Sequence, residues 1–433
     1  MTESPRGLGE AVGRRVGCVA RYCETGTLAQ ERVLPQRATS RTTGLVVLVC
    51  AVLLVDTIFF TALTPILPHY VHRFHMSKTL AGLLVACYPL GTLIGSLPGG
   101  FFATRAGVRP AVLVGLTLMS AATLTFGFAP SVAVLDLARC IQGLGGACTW
   151  SGALAWLASA VPVERRGAAI GIAFSAAVGG ALLGPVVGGI ASTAGSGPAF
   201  AGATVAAVAL MIWSFFFKVP ATVEPQRMSH AMRALRDLSL SGGLWLTCLA
   251  GIAFGVVDVL APLRLNHLGA GAITISAAFL GAAAVETSLS PVVGRLADRL
   301  GRRRPACFSL TGSAVLALLL PTVAPAAVLV ALIVGGLWFA GTLFVPAAAM
   351  VSDGSERQEL AFGIGFGLTN LAWASGQGVA ALGAGALAQA TSDLVPYSLL
   401  CAACAATLLG AVLLGGQRRT RQVQPNEMCS GGS

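Results

Sequence analysis

Charge is what this 433-residue chain is short of: Asp, Glu, Lys and Arg make up 10% of it, against 55% apolar residues. A soluble domain carries about 25% charged residues, and a core of this length with so little polar surface would not stay dissolved. Its solvent is therefore a bilayer. Also missing is a Gly-rich loop ending in Gly-Lys-Ser/Thr, which disfavours ATP-driven chemistry. Histidines number five, and no set of His, Ser or other metal ligands clusters within the apolar runs, which argues against a membrane-embedded enzyme. His69, His72 and His75 recur at i, i+3, i+6 without a supporting acid and read as a loop; no metal is expected. Cysteine is present, at 11 residues, but a paired pattern is not. Most cysteines lie inside apolar runs and read as small buried residues, and Cys401-x-x-Cys404 is no redox pair. Residues 1–41 lack the apolar stretch of a signal peptide.

Apolar runs of about 20 residues, the length a bilayer core demands, recur twelve times: 44–68, 79–103, 109–130, 131–160, 167–193, 197–218, 240–267, 272–297, 305–325, 326–350, 361–389 and 394–416. If both termini are cytoplasmic, every Lys and Arg falls on the cytoplasmic side except Arg73, Lys78, Arg264 and the in-span Arg139. The net charge of +11 is then a positive-inside signature rather than a nucleic-acid footprint. The expectation is a multi-pass plasma-membrane protein with both ends inside, acting as a monomer.

The polar stretch Lys218 to Leu240 divides the spans six and six. GGFFATRAGVRP (Gly99–Pro110) closes span 2 and GRLADRLGRRRP (Gly294–Pro305) closes span 8; the same loop at the same place in each half implies duplicated bundles. The predicted architecture is all-α: a tail over 1–43, a six-helix bundle over 44–218, a linker over 219–239 with a short surface helix near His230–Leu238, a second bundle over 240–416, and a tail over 417–433.

Span 5 reads GIAFSAAVGGALLGPVVGG, with Gly171, Gly180, Gly184, Pro185, Gly188 and Gly189 at the spacing G-x8-G-x3-GP-x2-GG. Glycine in a helix interior costs about 0.5–1 kcal/mol against alanine, tolerable where small residues let membrane helices pack closely. Gly180, Gly184 and Gly188 form one stripe, expected to pack against a neighbour from the other half. The run resembles the helix-5 motif of the drug:proton antiporter branch of the major facilitator superfamily. Gly294, Asp298, Arg299, Gly301, Arg302 and Arg303 likewise match the family's cytoplasmic loop motif, in which glycine lets helix ends approach and the charges pair across the halves. The first copy keeps Gly100, Arg105, Gly107 and Arg109, but Thr104 stands where the acid belongs. Arg139, Gln142, Gly143 and Gly146 resemble the helix-4 motif R-x-x-Q-G. The resemblance implies proton transfer for Arg139; the alternative is local pairing with Asp136.

Three carboxylates lie within spans: Asp56, Asp258 and Glu286. Each costs about 2.5–3.5 kcal/mol at a helix centre on insertion scales, and each is a candidate proton carrier and counter-ion for a cation. The alternative for any one of them is a hydrogen-bonded packing group. Asp56 shares a helix face with Phe59 and Phe60, a setting that suits an organic ammonium. LLVDTIFFTALTPILP resembles helix 1 of the vesicular monoamine transporters and their bacterial relatives, and GIAFGVVDVLAP resembles their acidic helix-7 site. Where those transporters carry a helix-11 aspartate this chain has Asn370, so Glu286 is a candidate replacement. Trp338 and Trp373 are candidate cavity residues.

The resemblance implies a proton-coupled antiporter that exports a small organic, cationic or amphipathic compound by alternating access, with the proton gradient as energy source and no cofactor. The expected partners are the compound, protons and the bilayer, not nucleic acid. The alternatives are export of a neutral metabolite such as a sugar or amino acid derivative, and a non-transporting receptor on the same fold.

Overall fold

In lipid a chain must satisfy its backbone hydrogen bonds internally, and a helix does so within one segment. The computed structural model describes residues 36–217, 232–301, 303–360 and 362–423, and among these there is helix and no strand. Most of both predicted tails and of the linker lies outside the described residues, as do Arg302 and the side chain of Asp298. By contacts the chain forms two units, Met1–Thr43 and Gly44–Ser433.

The helices are α1 (Gln36–Thr61), α2 (Leu63–Arg73), α3 (Lys78–Arg105), α4 (Val108–Gly127), α5 (Val132–Ala160), α6 (Val163–Ala194) and α7 (Ser196–Ser214) in the first half. In the second half they are α8 (Leu238–His267), α9 (Ala272–Leu300), α10 (Arg303–Leu319), α11 (Ala326–Thr342), α12 (Phe344–Arg357), α13 (Phe362–Ala390) and α14 (Leu394–Val423). They follow the twelve expected spans in order, with spans 1 and 10 each broken into two helices. The breaks share a cause. Pro65 cannot donate to the carbonyl of Thr61, nor Pro346 to that of Thr342, and α1 and α11 end at those residues.

Among the described residues, nine segments are long and apolar enough to cross a membrane by composition alone. The other three are spans 4, 9 and 11. In α5 and α13 the reason is interior polarity, since Arg139, Gln142 and Gln377 are buried rather than turned to lipid. α10 has only 17 residues and begins with Arg303 and Arg304.

Packing relies on small residues, as lipid supplies no hydrophobic drive between helices. The principal contacts are α3 with α5, α4 with α5, α8 with α13, and α13 with α3. The last of these joins the halves where Gly82 meets Gly385 backbone to backbone. The helix-5 stripe departs from expectation. A β-carbon at Gly180 would strike the Leu54 carbonyl, one at Gly184 the Thr61 side chain, and one at Gly188 the Ala62 carbonyl. The stripe therefore faces span 1 of its own half, and of these glycines only Gly189 looks across, towards Ser276 of α9. A helix period reveals which residues share a face but not which neighbour that face meets.

The loop motifs can be followed only in part, since the Asp298 side chain and Arg302 lie outside the described residues. Gly107 and Gly301 adopt φ of +100° and +78°, a turn conformation that glycine supplies, and among the described residues nothing lies within 4 Å of a β-carbon at Gly100 or Gly294. Arg105 lies over the Phe101 ring at 6.0 Å, Arg109 donates to the Phe215 carbonyl at 3.4 Å, and Arg303 to that of Val412 at 2.9 Å. Each contact stays within its own half, and Arg299 is exposed. At the opposite end the halves are tied together. Lys78 Nζ donates to Asp393 at 2.6 Å, the Lys78 backbone N–H donates to Gln389 at 3.1 Å, and His72 pairs with Asn266 at 2.8 Å.

Candidate functional site

Asp56 sits five residues before α1 ends at Thr61 and is 2% exposed. Gly146 of α5 makes room for it, since a β-carbon there would crowd both the Asp56 carboxylate and the Tyr88 hydroxyl. The carboxylate accepts hydrogen bonds from Trp150 Nε1 at 2.6 Å and from Tyr88 Oη at 3.2 and 3.3 Å. Thr149 Oγ1 lies 3.5 Å away but has a nearer acceptor, the Gly146 carbonyl at 2.8 Å. A hydroxyl has one proton to give, so Trp150 and Tyr88 carry the charge.

Phe60, four residues on, packs on Tyr88 with ring centroids 4.9 Å apart and edge-on to Trp373 of α13 at 5.4 Å. The aromatic wall beside Asp56 thus spans both halves. Phe59 is turned elsewhere: it is buried and borders an apolar groove of about 220 Å³ with Val187 and Ala199.

Arg139 is also 2% exposed. It does not pair with Asp136, one of whose carboxylate oxygens has no partner among the described residues. Instead it donates to the carbonyls of Phe59 at 3.0 Å and Phe60 at 3.2 Å and to Gln142 at 3.1 Å. The last carbonyls of α1 are left short of donors by the break, and a cation at a helix C-terminus is favourable. Its guanidinium lies 5.0 Å over the Tyr88 ring.

Asp258 of α8 is 8% exposed and accepts a hydrogen bond from Gln377 of α13 at 3.2 Å. Gln377 belongs to a face of α13 that runs Phe366, Asn370, Trp373, Gln377. Phe366 stacks on Trp150 at 5.5 Å and 9° between planes, and meets Phe174 of α6 edge-on at 5.5 Å. Asn370, half-buried, lies between these contacts along the helix. Glu286 is not brought into this group; it packs against Gly341 of α11. Trp338 packs with Phe308 and Phe339, away from the seam, whereas Trp373 lies on it.

Tyr88, Trp150, Phe366 and Gln377 escaped sequence reasoning. A signal existed for one of them, because the chain has four tyrosines and Tyr88 lies inside an apolar span beside a proline.

Residues 49–285 and 243–428 match the family model described as Major Facilitator Superfamily. Multidrug resistance protein 2 of Bacillus subtilis is 28% identical over 184 residues, 41% of this chain and 46% of that protein. Multidrug resistance protein 1 of the same organism is 30% identical over 125 residues, 29% of this chain and 32% of that one. The vesicular acetylcholine transporter of Tetronarce californica is 29% identical over 180 residues, 34% and 35% of the two chains. The matches span less than half the length of these curated relatives. A solved structure of a bacterial homologue of the human lysosomal transporter Spinster, inward-facing and unoccupied, superposes with a TM-score of 0.64 at 15% identity over 86% of this chain and 95% of that one; the likeness is one of fold.

Proposed function

This chain belongs to the Major Facilitator Superfamily, and on that premise we propose that it is a proton-coupled antiporter exporting a small organic cation or amphipathic compound across the plasma membrane. The observation that carries this reading is the buried Asp56 carboxylate set beside Phe60, Tyr88 and Trp373 at the seam of the halves. An ammonium there gains an ion pair and cation–π attraction together. Relatives named for multidrug resistance and for acetylcholine, itself an organic cation, support the same cargo class.

With both termini inside, the tied end of the molecule faces outward and the loop-motif end faces the cytoplasm. Substrate enters from the cytoplasm and displaces the donors on Asp56, with Asp258 as second acid. After the halves rock, a proton from outside takes the carboxylate, the cation leaves, and the returning proton is released inside. Arg139, fixed to the end of α1, couples the charge at Asp56 to the break in span 1.

Ethidium uptake into inverted vesicles under an imposed proton gradient tests this. Asp56→Asn abolishes gradient-driven uptake on this reading, and full retention removes Asp56 from the mechanism. Transport of a sugar or amino acid derivative with no cation transported would favour the neutral-cargo alternative.

A further inference from the structure

Glu286 lies at the middle of α9, and its carboxyl group occupies the space where a side chain on residue 341 would begin. A β-carbon built at Gly341 of α11 overlaps the carboxyl carbon and both its oxygens. Glycine at 341 is therefore what admits the acid between the two helices. Gly341 lies two residues before Leu343, where α11 gives way to α12, and the hydroxyl of Thr342 in the same turn pairs with Ser309 of α10 at 2.6 Å.

Among the described residues no cation pairs with the Glu286 carboxyl group and no donor reaches it. α11 carries no titratable residue. Of the other helices packed against α9, α8 places Asp258 at mid-depth. α2, α6, α10 and α12 hold their charges near their ends, as Arg73, Arg165, Arg303 and Asp353 show. A bare charge at this depth is disfavoured on every insertion scale, and no described group beside Glu286 offsets it. A proton is the one species left that balances the group.

We propose that the Glu286 carboxyl group, lodged in the slot left by Gly341, is a proton-binding site separate from Asp56, placed to sense motion at the α11–α12 break. Its place in the exchange cycle, as carrier of a second proton, rests on the antiport reading; the site itself does not. Because the slot belongs to two helices, the acid is transferable. An aspartate at 341 would put its carboxyl group into the volume Glu286 now fills, once Glu286 is shortened.

The test is an infrared pH titration of the purified full-length chain, reading the carbonyl band of protonated carboxyl groups, on variants first shown monodisperse by size exclusion. The expected result is loss of one titrating band in Glu286→Gln, with the bands lost in Asp56→Asn and Asp258→Asn unaffected. Glu286→Ala combined with Gly341→Asp regains a band. An unchanged spectrum in Glu286→Gln overturns the proposal, and a double variant that folds without regaining a band overturns the shared slot. No transported compound is needed, so failure here leaves the Asp56 reading standing, and failure of ethidium exchange leaves this site standing.

Discussion

The Trp150 ring stacks on Phe366 with centroids 5.5 Å apart while its indole N–H holds Asp56 at 2.6 Å. One side chain thus links a buried acid of the first half to a helix of the second. Trp150 and Phe366 are near-parallel, and Phe174 closes the cluster edge-on. On the antiport reading, a cation reaching Asp56 from the loop-motif end would displace the indole and so disturb its stack on Phe366, which would couple ligand entry to relative motion of the bundles.

Separating the two bonds of Trp150 tests this coupling. Trp150→Phe keeps an aromatic ring for Phe366 but removes the donor to Asp56, a hydrogen bond to a charged group being worth about 1.5–3 kcal/mol. Phe366→Ala keeps the donor and removes a stack worth about 0.5–1.5 kcal/mol. Ethidium exchange should fall about tenfold or more in the first. In the second, carbodiimide modification of Asp56 should speed up by up to about tenfold, with Asp56→Asn as the blank. Equal labelling in Phe366→Ala and the parent would show that the ring does not shield the acid.

How much of this was legible beforehand divides along a physical line. The spans and the halving follow from hydropathy and from the placement of Lys and Arg, which depend on residue type alone. The break at Thr61 is not anticipated by the single run 44–68, although Pro65 causes it through residue type alone. Partners depend on helix rotation, which one sequence does not specify. The buried acids Asp56 and Asp258 were therefore visible, while Trp150 and Gln377, which hold them, were not. Phe59 and Phe60 both looked eligible beside Asp56, and only the packed helices separate them. Arg139 was visible as an interior arginine, but its carbonyl partners in span 1 lie about 80 residues away. The glycine stripe shows in the sequence as one helix face, but its neighbour, span 1 and not a helix of the other half, does not, for the same reason.

That stripe yields a graded prediction. At Gly180 and Gly188 the nearest obstacle to a β-carbon is backbone, the carbonyls of Leu54 and Ala62; at Gly184 it is the Thr61 side chain, whose hydroxyl can be removed while its β-carbon, at 2.8 Å, stays. Gly180→Ala and Gly188→Ala should each impair transport more than Gly184→Ala. Thr61→Ala should partly restore Gly184→Ala, since only the hydroxyl is removed and the β-carbon stays, and do nothing for Gly188→Ala. Insertion, read from membrane-fraction yield, should be normal throughout, and Gly184→Leu should insert without transporting. Full activity in Gly184→Leu would make the stripe incidental.

The tie at the opposite end is weaker than its length suggests. The side chains of Lys78 and Asp393 are 39% and 19% exposed, and exposed pairs contribute about 0.2–1 kcal/mol. Lys78→Ala should therefore shift the balance of closed and open states by no more than about fivefold. Hydrogen exchange at the start of α3 and of α14 should rise by that factor, with little change near Gly99–Pro110. The swap Lys78→Asp with Asp393→Lys should restore protection. A much larger effect would mean that Gln389, which Lys78 also holds through its backbone, depends on the pair.

Asp237 offers a charge whose pH behaviour can be worked out, because it lies outside the spans. It caps α8 by accepting from the N–H groups of Ser239 and Leu240 at 2.9 and 3.0 Å, and it takes two bonds from Arg357, at the end of α12, at 3.2 and 3.0 Å. The Arg357 hydrogen bond first, then the cap, lower its carboxyl from the ordinary 3.8 to about 2. A depressed acid contributes stability that is complete above its unfolded value and lost as pH falls through its folded one. The contribution should be constant from about pH 5 to 8 and disappear only as pH drops from about 4 through 2. Asp237→Asn retains a capping oxygen and should cost little. Asp237→Ala also loses the cap, about 0.5–2 kcal/mol, and should lower the thermal midpoint in detergent by the same amount at pH 5 and pH 8. A deficit that changes between those two pH values would mean the carboxyl titrates there, and the pairing with Arg357 would have to be abandoned.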